Sequence, residues 1–187
     1  MIFEDETFVG KDYQKKSLEK ATYENCQFNS CNFGEVNLTG ISFVDCHFID
    51  CNFSNAMLNT VSINGAEFKT CKMLGLHFEH CNPFLFSANF TGCQLNLSSF
   101  YQVKLKFAQL INCTLVDVDF TEADCTNVKF DGSDLSQAIF DQTNLLKADF
   151  RTAENFIINP ENNNITKAKF SKHNLLGLLT HFNIDIE

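Results

Sequence analysis

The sequence predicts an all-β solenoid with a square cross-section, in which short extended segments wind around one apolar core. The first observation is a regular spacing: sixteen positions five residues apart, from Phe3 to Phe78, are all apolar or aromatic. In a chain with 44% hydrophobic residues, chance would give this run with a probability on the order of 10⁻⁶. A period of five fits neither a helix nor an alternating strand, so it marks an internal repeat.

The second observation concerns the residue two positions before each large one, which is usually small or β-branched. Residues two apart point to the same side of an extended chain, so both members of the pair face inward. Four repeats that each turn about a right angle close one coil of about twenty residues, and coils stack at about 4.8 Å. The clearest stretch is 118–150, whose large positions are Phe120, Cys125, Phe130, Leu135, Phe140, Leu145 and Phe150.

The third observation is that nearly all aromatic residues are phenylalanine: the chain has 21 Phe, 3 Tyr and no Trp. One ring type is therefore used repeatedly in equivalent positions. The length of 187 residues suits a single domain. Up to Phe150 the repeat gives seven to eight coils, which corresponds to a rod of roughly 35–40 Å.

The repeat also predicts the organisation of the chain. The β-helix covers 1–170. Its irregular parts are a first coil at 1–20, a break at 79–87 and a distorted closing coil at 151–170. Two residues are inserted after Phe78, and Pro83 fits poorly in a hydrogen-bonded ladder. The break is either a tolerated insertion or a bend that orients a surface for a partner.

The C-terminal segment, 171–187, is predicted to be a short α-helix followed by a strand-like tail that caps the core. Ser171 is the expected N-cap. A segment this short with two apolar faces has more apolar surface than is needed to cover the end of the core. We therefore expect a two-fold dimer contact, and the alternative is that the segment only covers the end of the core. The dimerisation residues would be Leu175, Leu178, Leu179, Phe182, Ile184 and Ile186.

Negative charge is concentrated in one block of the sequence. The net charge is -9, and residues 107–149 contribute -6 with eight acidic and two basic side chains. Acidic surfaces repel nucleic acids and membranes and attract basic protein surfaces. The alternative is a solvated surface that aids solubility. The residues expected to contact a basic partner are Asp117, Asp119, Asp124, Asp131, Asp134 and Asp141.

Cysteine and histidine are expected to be structural. The nine cysteines form no CxxC pair, and most occupy the small inward position, where a reduced thiol behaves as a small hydrophobe. His77 and His80 lie at the break, beside Cys81, but no further ligand completes a metal site. We therefore expect no metal and no cofactor.

Other features argue against an enzyme, a secreted protein or a membrane protein. The sequence has no Gly-rich phosphate loop and no nucleophile elbow, and a rod offers no cleft. The first residues lack the pattern of a secretory signal, and no stretch approaches the length of a membrane span. We expect a cytoplasmic, non-enzymatic protein that binds neither nucleic acid nor membranes directly.

The repeats Ala-Asp-Phe-Arg-Thr at 148–152 and Ser-Asp-Leu-Ser-Gln at 133–137 resemble the A(D/N)LXX consensus of the pentapeptide-repeat family. This resemblance, over about residues 3–150, implies a right-handed quadrilateral β-helix. The mid-chain interruption, C-terminal helix and apolar tail are similar to the quinolone-resistance (Qnr) group and the microcin B17 immunity protein. That similarity implies a homodimer joined through its C-termini. The long loops implicated in Qnr protection are missing here.

Two functional hypotheses remain open. In the first, implied by the resemblance, the rod mimics DNA and binds a type II topoisomerase, DNA gyrase or topoisomerase IV, and protects it against quinolones or gyrase toxins. In the second, the chain is a scaffold for an unknown protein partner, without a topoisomerase role. The second would use the break at 81–87 or an outward Asn/Thr face.

Overall fold

The computed structural model describes residues 1–182, 184 and 185. Short parallel strands follow one another around a tube with four walls. The strands are β1 (Ile2–Glu4), β2 (Thr7–Val9), β3 (Thr22–Glu24), β4 (Gln27–Asn29), β5 (Ser42–Val44), β6 (His47–Ile49), β7 (Ser62–Asn64), β8 (Ala66–Lys69), β9 (Ala88–Thr91) and β10 (Leu110–Ile111). Within these described residues, three 3₁₀ helices are found, at Phe78–His80, Leu175–Leu178 and Thr180–Phe182.

Each wall is a ladder of parallel pairs, and most partners are twenty residues apart. Wall 1 contains β1, β3, β5 and β7 and resumes with single bridges from 104 to 164. Wall 2 contains β2, β4, β6, β8, β9 and β10 and continues in bridges from 109 to 169. Wall 3 is formed by bridges from 12 to 154, and wall 4 by bridges at 37–57 and 77–139. Wall 2 therefore rises by eight steps of about 4.8 Å, or roughly 38 Å.

The core consists of the fifth-residue positions, as predicted. Phe48 is fully buried and stacks on Phe28 and Phe68, with ring centroids 5.0 and 4.8 Å away. It also meets Phe43 and Phe53 edge to face, at 5.1 and 5.2 Å. The spacing between stacked rings matches the spacing between strands, so the coils from Phe8 to Phe90 build one aromatic column.

Corners between walls are turned by residues with left-handed backbone, one in nearly every repeat. Among the described non-glycine residues, 21 have φ between 49° and 65°, including Asn25 and Asp45, whose residue types tolerate this conformation best. Because a corner residue points away from the core, its side chain lies on the surface. The corners therefore carry much of the charge that a partner would meet.

The break is a two-residue insertion that displaces part of wall 1. The pairing distance rises to 22 between β8 and β9, where Ala66 pairs with Ala88. In the break loop, Phe84 is 91% exposed, whereas Phe86 packs edge-on against Phe78 at 5.8 Å. The walls then continue with the original spacing of twenty, so the insertion produces a local loop.

The two ends differ from the sequence-based expectation. In the first coil, β1, β2 and the bridge at Asp12 are regular, and the irregular part begins at 13. At the other end, 3₁₀ geometry replaces the predicted α-helix. The cause is hydrogen bonding to the last coil: the Gly177 carbonyl accepts the N–H of Ile158 at 2.9 Å, and Asn174 Nδ2 donates to the Phe150 carbonyl at 2.8 Å. The N-cap position is Asn174, not Ser171, and its side chain caps no N–H of the helix; its Oδ1 instead accepts the Ser171 N–H at 3.0 Å.

Polar side chains in the small inward position satisfy buried backbone groups. Ser133 Oγ donates to the Leu110 carbonyl at 2.8 Å and accepts the N–H of Cys113 at 2.9 Å. Cys51 Sγ fills the equivalent role, at 3.3 Å from the Phe28 carbonyl oxygen and 3.4 Å from the Cys31 nitrogen. Cys51 is therefore a hydrogen-bonding member of the wall as well as a small apolar filler.

Replacing Ser133 with alanine is expected to lower the free energy of unfolding by about 1–3 kcal/mol, because two buried backbone groups lose their partner. Ser133→Cys should retain most of the stability, since Cys51 provides both contacts in another coil. Urea unfolding of the three proteins measures the difference. Equal losses in the two variants would contradict the bridging role.

Candidate protein-binding surface

The acidic side chains lie mainly on one side of the C-terminal half of the rod. Walls 3 and 4, with the corners beside them, are formed there by three segments, 112–122, 132–142 and 152–162. These segments contain no Lys or Arg. We call this surface the acidic sector, and its seven acidic residues are Asp117, Asp119, Glu122, Asp134, Asp141, Glu154 and Glu161.

The opposite side is basic. It is formed by walls 1 and 2 and their corners, in segments 103–111, 123–131, 143–151 and 163–171. Its three acidic residues are outnumbered by seven basic ones. Within it, Lys106 pairs with Asp124 at 3.1 Å and Arg151 with Asp149 at 2.8 Å. We call this surface the basic sector; its basic residues are Lys104, Lys106, Lys129, Lys147, Arg151, Lys167 and Lys169.

The density of negative charge in the acidic sector approaches that of duplex DNA. Three coils at about 4.8 Å cover about 14 Å of the rod axis. Seven charges over this length give about one charge per 2 Å, compared with about one per 1.7 Å for DNA. The match holds on one side of the rod only, because the basic sector occupies the other.

The wall carboxylates are held in place by the backbone. Oδ1 of Asp119 accepts the Thr121 N–H at 2.8 Å, and Oδ1 of Asp134 accepts the Ser136 N–H at 3.1 Å. These contacts are Asx turns. Hydrogen bonds from Ser136 and then Asn155 lower the pKa of Asp134, so this carboxylate is charged at neutral pH. Among the described residues, Oδ2 of Asp119 and of Asp134 has no hydrogen-bond partner, and each oxygen can accept a bond from another protein.

The structure separates the six aspartates expected to bind a partner. It brings Asp117, Asp119, Asp134 and Asp141 together in the acidic sector. Asp124 lies on wall 1 within the basic sector, and Asp131 lies at the corner between walls 2 and 3, where the two sectors meet. Burial alone would raise the pKa of Asp124, but hydrogen bonds from Thr126 and Lys106 outweigh it and the pKa is lowered.

Three further acidic residues of this sector were not among the predicted contacts: Glu122, Glu154 and Glu161. Glu154 and Glu161 lie beyond the acidic block at 107–149, so a count within that block leaves them out, whereas Glu122 lies inside it. Their positions become clear when residues are grouped by wall at the twenty-residue spacing. That spacing was available from the sequence.

Two family models match the chain. One, described as a pentapeptide repeat region, matches residues 77–150, and the other, described as eight copies of the pentapeptide repeat, matches residues 26–65. Together they cover more than half of the 187 residues, and the repeats they match form the four-walled coils. The chain belongs to the pentapeptide-repeat family.

Solved structures of other pentapeptide-repeat proteins have the same fold. A trypsin-treated variant of QnrB1, a plasmid-mediated fluoroquinolone resistance protein, matches with a TM-score of 0.67 at 18% identity over 100% of both chains. A second such variant gives 0.65 at 18% identity, covering 97% of this chain and 98% of that one. HetL of the cyanobacterium Nostoc sp. strain PCC 7120, involved in heterocyst differentiation regulation, gives 0.67 at 16% identity, with 91% and 84% coverage. The comparison with curated proteins found no significant match.

The described part of the C-terminal segment of this pentapeptide-repeat protein carries several exposed apolar side chains. Of the residues expected at a dimer contact, Leu175, Phe182 and Ile184 are exposed, and Ile186 lies outside the described residues. Leu178 instead packs against the core, and Leu179 is half-buried. Leu176, which the prediction omitted, is 59% exposed. The exposed apolar side chains of this segment are therefore Leu175, Leu176, Phe182 and Ile184.

Other kinds of site are not seen in the part of the chain that the structure describes. Within it, no group of three or more His, Cys, Asp or Glu side chains is arranged to hold a metal ion. The cysteines there are unpaired and buried. No described helix is long and apolar enough to cross a bilayer.

Proposed function

We propose that this protein binds the DNA-binding surface of a type II topoisomerase through its acidic sector, in place of DNA. The observation that carries the proposal is a surface of seven acidic and no basic residues, with a charge spacing close to that of DNA. The fold that it shares with QnrB1, a fluoroquinolone resistance protein, is the reason for choosing this class of partner. Protection against quinolones or gyrase toxins would follow from competition with DNA.

A gyrase supercoiling assay tests the proposal. We expect the wild-type protein to inhibit supercoiling at micromolar concentration, and excess DNA to reverse the inhibition. A variant with Asp117, Asp119, Asp134 and Asp141 changed to Asn should be about tenfold or more weaker, because four of the seven charges of the sector are lost. Asn retains the Oδ1 acceptor of the Asx turn, as Asn52 shows by accepting the Ser54 N–H at 3.1 Å.

The matched control makes the same change in charge elsewhere on the rod. Glu4, Glu24, Glu35 and Glu67 are exposed and lie outside the acidic sector, so changing them to Gln should leave the inhibition near wild type. Inhibition that falls equally in both variants would indicate a net-charge effect. No effect of the wild-type protein at micromolar concentration would refute the topoisomerase proposal.

We also propose that two copies associate through the exposed C-terminal face formed by Leu175, Leu176, Phe182 and Ile184. Four exposed apolar side chains at one end would be buried by a two-fold contact. Light scattering after size exclusion should give twice the chain mass of 21.2 kDa. Leu176→Asp should yield the monomer mass, and a monomeric wild type would contradict the contact.

A second candidate function is a protein-interaction scaffold without a topoisomerase role. The exposure of Phe84 (91%) and Leu85 (48%) in the break favours it, because both apolar side chains face solvent on a loop. A partner of this kind would be captured equally well by the acidic-sector variant and would be lost with Phe84→Ala. The reverse pattern would favour the topoisomerase.

A further inference from the structure

The break loop encloses a cavity at one end of the acidic sector. It has a volume of about 250 Å³, and its lining includes Phe78, Glu79, Phe86, Tyr101 and Lys104. This is smaller than the roughly 300–1,000 Å³ of sites for drug-sized ligands. The cavity is therefore suited to a single long side chain.

Glu79, one of the lining residues, has a carboxylate oxygen without a hydrogen-bond donor. Its Oε1 lies 2.9 Å from Nδ1 of His77, within hydrogen-bond distance. Its Oε2 is buried and has no hydrogen-bond partner among the described residues. A buried carboxylate oxygen without a donor is costly, so a donor supplied from outside would bind favourably.

The cavity adjoins the acidic sector through Tyr101 and Gln102. The Tyr101 hydroxyl lies 3.4 Å from Oε1 of Glu122, and Gln102 Nε2 donates to Oε2 of Glu122 at 2.8 Å. Glu122 is a member of the acidic sector. A partner bound along this sector would thus reach the cavity without leaving the rod surface.

We propose that the cavity is the anchor site for one arginine side chain of the protein bound by the acidic sector; this inference rests on the proposed function. The guanidinium would donate to Glu79 Oε2, after a small movement of the break loop, and stack on Phe86 or Tyr101. Lysine fits less well because its compact, strongly hydrated ammonium cannot stack in this way. Lys104 also lines the cavity, but an anionic ligand would bring no donor to Glu79.

Tyr101 is a convenient reporter of binding. The chain has three tyrosines, and the other two, Tyr13 and Tyr23, are buried. Its ring signals in the NMR spectrum can be assigned with the Tyr101→Phe variant. The probes are the peptides acetyl-Gly-Arg-Gly-amide and acetyl-Gly-Lys-Gly-amide.

We expect the arginine peptide to shift the Tyr101 signals in a saturable way at millimolar concentration, and the lysine peptide to bind several-fold more weakly. Glu79→Gln should weaken the arginine peptide about tenfold, and Glu67→Gln, an exposed control of equal charge change, should not. Gln retains an acceptor for His77, and an unchanged midpoint of thermal unfolding shows that the variant is folded. Absence of a shift, or an equal shift with folded Glu79→Gln, would refute the site.

The supercoiling assay separates this inference from the proposed function. If the wild-type protein inhibits gyrase, Glu79→Gln should be at least about fivefold weaker and Glu67→Gln unchanged. If wild type and Glu79→Gln inhibit equally, the arginine anchor is wrong and the topoisomerase proposal stands. If the wild type does not inhibit at all, the proposed function fails, and the peptide titration alone decides whether the cavity binds arginine.

Discussion

Phe48→Ala is expected to lower the free energy of unfolding by about 3–5 kcal/mol. Phe48 is fully buried and lies in the middle of the aromatic column, with Phe28 below it and Phe68 above it. Its removal leaves a cavity that the hydrogen-bonded walls on either side cannot close, because their spacing is fixed by the ladder. Stacking with two rings is lost as well. Urea unfolding, followed by circular dichroism, measures the change.

Phe84→Ala is the matched control, because it removes the same ring from a side chain that is 91% exposed. Its stability should remain within about 0.5 kcal/mol of wild type. A small loss in Phe48→Ala, comparable to that in Phe84→Ala, would mean that the aromatic column does not hold the coils together. Loss of cooperativity in Phe48→Ala alone would instead show that the coils on its two sides unfold separately.

Gly177→Ala is expected to displace the C-terminal segment and to lower the free energy of unfolding by about 1–3 kcal/mol. A Cβ atom at this position would lie 2.2 Å from the carbonyl oxygen of Phe156 and 2.8 Å from its ring. The hydrogen bond between the Ile158 N–H and the Gly177 carbonyl holds the two backbones at this distance. The methyl group therefore fits only if the segment moves off the last coil.

Limited trypsin digestion measures this displacement directly. Cleavage after Lys172 should be faster in Gly177→Ala than in wild type, because the released segment exposes the bond to the protease. Thr180→Ala removes an exposed side chain of the same segment and should leave the cleavage rate unchanged. If the cleavage rates and midpoints of thermal unfolding agree in all three proteins, the segment is not held by the close approach at Gly177.

The core could be predicted from the sequence because its residues recur at a fixed interval along the chain. Phe28, Phe48 and Phe68 recur at a fixed interval, and only an extended chain that turns at every repeat can bury all of them. The twenty-residue spacing also predicts which coils stack. These inferences need only the pattern of side-chain size along the chain.

The candidate site was less predictable because it depends on which wall each charge occupies. Asp124 and Asp134 are equivalent in a count of acidic residues, yet they lie on walls 1 and 3, with Lys106 beside only the first. The C-terminal helix type was missed for a related reason. The carbonyl of Gly177 bonds to Ile158, and a tertiary hydrogen bond of this kind leaves no periodic trace in the sequence.

The opposite placement of acidic and basic sectors gives the molecule an electric dipole across the rod axis. In the field of a basic partner, this dipole exerts a torque that turns the acidic sector forward before contact. The resulting increase in affinity comes mainly from a higher association rate. This rate should fall as added salt shortens the Debye length below the width of the rod. The dissociation rate depends on short-range contacts and should change much less, so orientation in solution becomes a separate, measurable part of recognition.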